Sequence, residues 1–329
     1  MKFSFQNVFK KSQILLVLKI SIIFILLWTL VKTSQLKFEL LIHLFDHAFL
    51  LFYVIFLFIL MVIVSAWRWK LLNASQGIHL SLFNTFIPSY LGVACTNVLP
   101  SAVSGDLVRA YYICKKLPEM KNKIFTCIFF DRIMGFLGIG VAILLVIILK
   151  YHSIQQNNEL FSLTVLCEYF CLGLLPLLIL LIIFFQRIGF FTKLLDVYGD
   201  KQWLGPVVSF LHLVSTFRMK SLLIIGCITL SVLLQILIVS SLIVITKMMD
   251  LPALGFSDGI IAIGITQLVG VIPLTPGGIG VAELVYANVL LLLNPGISSS
   301  FATVFLGYRL ISALTYLPGA IFYIVKKIR

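Results

Sequence analysis

Among the ionisable side chains that fall inside or against apolar runs of this chain, six could do chemistry: Asp106, Arg109, Asp131, Arg132, Glu283 and Arg309. A charge at the centre of a membrane-spanning helix costs about 2.5–3.5 kcal/mol on the insertion scale, so each needs a partner or a function. Arg309 lies about ten residues into the run 299–324, hence roughly 15 Å deep at 1.5 Å per residue, near the midplane of a ~30 Å hydrocarbon core. Asp131 and Arg132 lie about eight residues into the run 124–149. Being adjacent, they point to different sides of a helix and do not pair with each other. Asp106 and Arg109, at i,i+3, can share a face, and Asp106 also suits the cap or first turn of its helix. Glu283 is read as either the partner of a facing arginine or a protonatable coupling group.

The chemistry these residues suggest depends on two breaks in apolar sequence. One is Pro100 with Ser104-Gly105; the other is Pro273 with Thr275-Pro276-Gly277-Gly278-Ile279-Gly280. A Pro/Gly interruption inside a membrane leaves a helix N-terminus with unpaired N–H groups and the positive end of a dipole, which suits an anion. Discontinuous helices of this kind are where secondary transporters bind substrate. Two such termini near Arg109, Arg132 and Arg309 describe a cavity suited to a phosphate or carboxylate, with Asp131 and Glu283 balancing the charge. Gly135, Gly138 and Gly140, in an unbroken run, are read as packing residues instead.

The elements that must position these groups follow from composition. Of 329 residues, 61% are hydrophobic and 11% charged, against roughly 45–50% apolar and about 25% charged in soluble domains. That excludes a water-soluble globule. Apolar runs of about eighteen residues or more exclude a β-barrel and read as helical spans. The net charge of +13 reads as loop charge that orients a membrane protein rather than as a nucleic-acid surface. The six cysteines show no disulfide or metal spacing, Cys167 and Cys171 included, and no cofactor or metal is expected. His43, Asp46 and His47 read as an interfacial helix end.

The basic clusters set the path. Lys2, Lys10 and Lys11 precede an uncleaved first span, 14–31, followed by an outer loop at 32–47. Span 48–66 returns and stops at Trp67-Arg68-Trp69-Lys70, read as an interfacial anchor. Segment 80–113 has basic residues at both ends and a second half too short to cross, so it enters and leaves on the cytoplasmic side. Spans 124–149 and 160–185 follow, then an amphipathic linker at about 186–220 and span 221–246. Segment 256–293 enters and leaves from outside, and 299–324 crosses back to Lys326, Lys327 and Arg329. The expected fold is an all-α polytopic membrane protein: one integral domain over 1–329, with about six transmembrane helices and two re-entrant hairpins. Repeats at about 48–149 and 221–324 have opposite orientation, each with a break followed by an arginine in the next span.

These residues resemble a known family. Pro100 with Ser104-Gly105-Asp106-Leu107-Val108-Arg109, then Asp131-Arg132, then Pro276-Gly277-Gly278-Ile279-Gly280 with Glu283, are similar to the lysylphosphatidylglycerol synthase transmembrane-domain family, over about 10–325. That family forms the flippase part of the bacterial multiple peptide resistance factor and also occurs as stand-alone proteins. The resemblance implies a multi-pass protein of the bacterial cytoplasmic membrane that moves a lipid or its head group between leaflets. Where relatives have two glycines at the first break, this chain has Ser104-Gly105. The full-length resistance factors continue into a soluble aminoacyl-transferase domain; the chain ends at Arg329, so lysine transfer is not expected of it.

The leading expectation is therefore a lipid translocase with both termini cytoplasmic, and a transporter rather than an enzyme. No G-x-x-x-x-G-K-[ST] phosphate loop occurs, so its energy would come from a gradient or from substrate consumption. Its substrate would be a membrane lipid with an anionic or zwitterionic head group, polyprenyl-phosphate-linked lipids included. A homodimer is open to it. The alternatives are a membrane-embedded glycosyl- or aminoacyl-transferase component acting on a lipid-linked substrate, and a transporter for a small soluble solute.

Overall fold

Apolar helices make up the regular structure of the computed structural model, which describes residues 21, 24–33, 35–98, 104–154, 221–272, 274–294 and 300–328. Residues 14–20 of the expected first span, the span at 160–185, the linker at 186–220, and Pro100 and Pro273 lie outside the described residues, as do Cys167 and Cys171. After a helical stretch at 24–32, we number the helices α1 (Ala48–Ser75), α2 (Leu82–Val98), α3 (Ser104–Lys116), α4 (Lys121–Ile154), α5 (Ser221–Met248), α6 (Phe256–Val269), α7 (Val281–Leu293) and α8 (Phe301–Ile328). Every regular element among the described residues is helical, and five stretches are long and apolar enough to cross a membrane. The protein is an all-α, multi-pass membrane protein.

Chain contacts divide it into two compact units. One comprises Met1–Phe58, Thr96–Ser104 and Val239–Pro318; the other comprises Ile59–Cys95, Gly105–Ile238 and Gly319–Arg329.

In the second of these units, α1 does not stop at Trp67-Arg68-Trp69-Lys70 but runs on to Ser75. Its end is a Schellman turn: Gly77 takes a left-handed φ of 75°, the Ile78 N–H reaches the Asn73 carbonyl, and the Gly77 N–H reaches that of Ala74. Arg68 and Trp69 of the expected interfacial anchor are buried inside the protein, while Trp67 is half exposed. α2 and α3 form a hairpin whose open end is tied by Lys116 Nζ donating to Asn84 Oδ1 at 3.1 Å. Along it, the position a Cβ would take on Gly92 is only 2.8 Å from the Gly105 carbonyl, so glycine lets the two helices meet. On α4, a Cβ on Gly138 would overlap Ser231 of α5 at 2.1 Å, which agrees with its reading as a packing residue. Gly135 leaves room for the Arg68 guanidinium, 3.7 Å away.

In the other unit, α6 and α7 pack as a second hairpin, with Asn294 Nδ2 donating to Asp258 Oδ2 at 3.3 Å across its open end. The expected outer loop 32–47 holds a 3-10 helix, Phe38–Phe45, that buries Leu44. The Lys37 N–H donates to Thr303 Oγ1 on α8 at 2.8 Å, so this loop is packed in place. α7 is 13 residues long, about 20 Å at 1.5 Å per residue, and shorter than a ~30 Å hydrocarbon core.

Candidate functional site

The first break leads into α3, which carries Asp106 in its first turn and Arg109 one turn on. Helix α4 supplies Asp131 and Arg132 as neighbours, and they turn to different partners. Asp131 is buried and shared. Its Oδ1 accepts from Arg68 Nε at 2.7 Å and its Oδ2 from Arg109 Nη1 at 3.0 Å. Each arginine is held again by a buried serine: Arg68 Nη1 donates to Ser231 Oγ at 2.7 Å, and Arg109 Nη2 to Ser89 Oγ at 3.1 Å. The Arg109 guanidinium also lies over the Trp69 ring, 4.5 Å from its centroid.

Such a triad survives desolvation because the carboxylate accepts charge-assisted hydrogen bonds on both oxygens. α1, α2, α3, α4 and α5 each contribute a side chain to it. Arg68, Trp69, Ser89 and Ser231 were not among the sequence candidates. The one available signal was that Asp131 required a cation; nothing in the order of residues selects Arg68, 63 positions away.

Arg132 is placed differently. Its Nε donates to Asp106 Oδ2 at 2.7 Å, yet its side chain is 51% exposed, against 14% for Asp106. The other oxygen, Asp106 Oδ1, lies 3.8 Å from Arg109 Nη1. Asp106 therefore sits between a buried and an exposed arginine.

The second break is built around left-handed glycines. Gly277, Gly278 and Gly280 take φ of 65°, 68° and 84°, a region that costs a side-chain-bearing residue about 1–2 kcal/mol. Pro276 opens the turn, which closes through Gly278 N–H to the Thr275 carbonyl at 3.0 Å and Thr275 Oγ1 to the Ile279 carbonyl at 2.9 Å. Leu26 packs on Gly280, 3.0 Å from where a Cβ would stand.

Glu283, at the third position of α7, is fully buried. Its Oε2 accepts from the Gly280 N–H at 2.7 Å. Its Oε1 lies 3.1 Å from Arg309 Nε, an ion-pair contact without hydrogen-bond alignment. Arg309, on α8, also donates through Nη2 to the Gly278 carbonyl at 3.3 Å and lies over the Phe305 ring at 5.4 Å. Of the two readings left open for Glu283, the structure contains the ion pair. Of the remaining candidate groups, His43 Nδ1 lies 3.1 Å from Asp46 on the exposed 3-10 helix.

The candidates thus assemble as two sets of one pattern. Each helix after a break bears an acid in its first turn, and each acid meets Nε of an arginine from the next long helix: Asp106 with Arg132, and Glu283 with Arg309. No curated protein sequence matches the chain. Residues 14–319 match the lysylphosphatidylglycerol synthase TM region, and the chain belongs to that family.

Proposed function

We propose that the protein is a translocase that moves a phospholipid or polyprenyl-linked lipid between the leaflets of a bacterial cytoplasmic membrane. The observation that carries this reading is the repeated arrangement of break, first-turn acid and arginine from the next long apolar helix. A lipid head group is a phosphate-bearing anion that must leave water while its tails remain in hydrocarbon. Helix restarts with attendant arginines supply fixed positive potential for that passage. The internal carboxylates keep the clustered charged groups near neutrality, so the arginines cost less to bury.

In this reading the two helical hairpins are re-entrant, and they belong to repeats of opposite orientation at about 48–149 and 221–324. What supports it is the basic cluster that flanks each end of the 80–113 segment. Both termini lie in the cytoplasm.

The test is lipid movement in proteoliposomes bearing a fluorescent head-group-labelled phospholipid in one leaflet. The wild-type chain equilibrates the label, and Arg309→Ala and Glu283→Gln slow it at least tenfold. Unchanged rates in both folded variants would sink the proposed site.

A further inference from the structure

The two acid–arginine pairs are alike in pattern but differ in exposure, 51% for the Arg132 side chain against 25% for Arg309, and this separates their roles. Glu283 is fully buried and holds the Gly280 N–H, while Arg309 ties down the Gly278 carbonyl. Opening that pair would strand a buried carboxylate and release a left-handed turn, which is strongly unfavourable. In Asp106–Arg132 the carboxylate is 14% exposed and has a second cation, Arg109, 3.8 Å away, and the Arg132 side chain is 51% exposed, so a competing acceptor can reach its guanidinium. A phosphate is such an acceptor, offering several oxygens to the guanidinium fork.

The displaced carboxylate also has somewhere to go. Asp106 Oδ1 is already 3.8 Å from Arg109 Nη1. Arg109 has donor capacity left, since its buried Nε has no hydrogen-bond partner. The five charged groups Arg68, Arg109, Arg132, Asp106 and Asp131 sum to one positive charge, which a monoanionic phosphate ester neutralises.

Resting on the lipid-translocation reading and deepening it, we propose that Asp106 is a built-in competitor for the head group. It occupies Arg132 in the empty protein and moves onto Arg109 when a phosphate takes Arg132. Glu283–Arg309 is by contrast a fixed brace and does not exchange. The recognised chemistry is a phosphate monoanion, carried by a lipid or free in solution.

The test is direct binding to the full chain in nanodiscs, by native mass spectrometry for phosphatidylglycerol against diacylglycerol of the same chains. A parallel titration with glycerophosphoglycerol, a soluble phosphate diester and so a monoanion, uses intrinsic fluorescence. Asp106→Asn removes the competitor and tightens phosphate binding about fivefold, the scale of one exposed ion pair. Arg132→Gln abolishes the preference for phosphatidylglycerol over diacylglycerol, and Asp106→Asn/Arg132→Gln behaves like Arg132→Gln alone. Tightening in the lipid arm assigns the site to a head group, and in the soluble arm to a free phosphate ester; either supports the exchange. Binding by Asp106→Asn no tighter than wild type in both arms, or a preference that survives Arg132→Gln, overturns it. Loss of lipid movement in proteoliposomes with the exchange intact would instead count against the translocase reading alone.

Discussion

Asp131 is the most constrained charged residue in the described structure. Two arginines from different helices converge on its two oxygens, and both are buried with it. Asp131→Asn leaves two guanidinium groups in the interior facing an amide. Removing one partner of a buried pair costs about 3–5 kcal/mol, so the unfolding temperature in detergent should fall by several degrees or more. Arg132→Gln, next in sequence, should shift it by less than about 1 kcal/mol, because its pair is half-exposed. Paired melting curves of the two variants check this. Equal losses would mean that Arg132 is buried in the folded protein.

At the scale of elements, the second break depends on backbone geometry that only glycine adopts freely. Gly280→Ala meets both a left-handed φ of 84° and Leu26 at 3.0 Å, so it should cost about 1–2 kcal/mol or more. Its effect on lipid movement should exceed its effect on stability, because the turn presents Glu283 to Arg309. Helix packing gives a second contrast. Gly138→Ala would drive a methyl into Ser231 of α5, displacing the residue that holds Arg68, at a cost of about 1–3 kcal/mol. Gly226→Ala, on the same helix as Ser231 but with nothing within 4 Å, should be neutral or stabilising by up to about 1 kcal/mol. Thermal unfolding of the two alanine variants in one detergent separates a packing glycine from an incidental one.

For the molecule as a whole, the apolar exterior is its principal feature. Phe49, Phe52 and Phe56 on α1, Leu149 on α4 and Leu222 on α5 are all more than half exposed. In water such a surface would drive association; in a bilayer it is the contact with lipid tails. The basic residues Lys2, Lys10 and Lys11 near the start, and Lys326, Lys327 and Arg329 at the end, should hold both ends on the cytoplasmic face. Reporter fusions at the two ends test this: a cytoplasm-active fluorescent protein should be bright at both, and a periplasm-active phosphatase silent at both. Opposite signals from the two ends would require an odd number of crossings and would remove the opposed-hairpin arrangement.

The sequence by itself determined the class of molecule and the position of its breaks. Lipid solvation demands long apolar helices, and Pro-Gly-Gly-x-Gly tolerates few conformations, so both were legible from residue type and order alone. That Arg309 lies well inside an apolar run was legible too, and with it the need for a partner. Which partner was a tertiary matter. The approach of Glu283 to Arg309, 3.1 Å apart, comes from the packing of α7 and α8. Arg68, with the two tryptophans beside it, resembles part of an interfacial anchor, whereas helix α1 runs past those residues. Only the packing of α4 and α5 against α1, permitted by Gly135 and Gly138, turns Arg68 inward onto Asp131 and Ser231. Charges pair through space at a few ångströms, whereas the chain separates these partners by 63 and 163 residues, and periodicity carries no record of that approach.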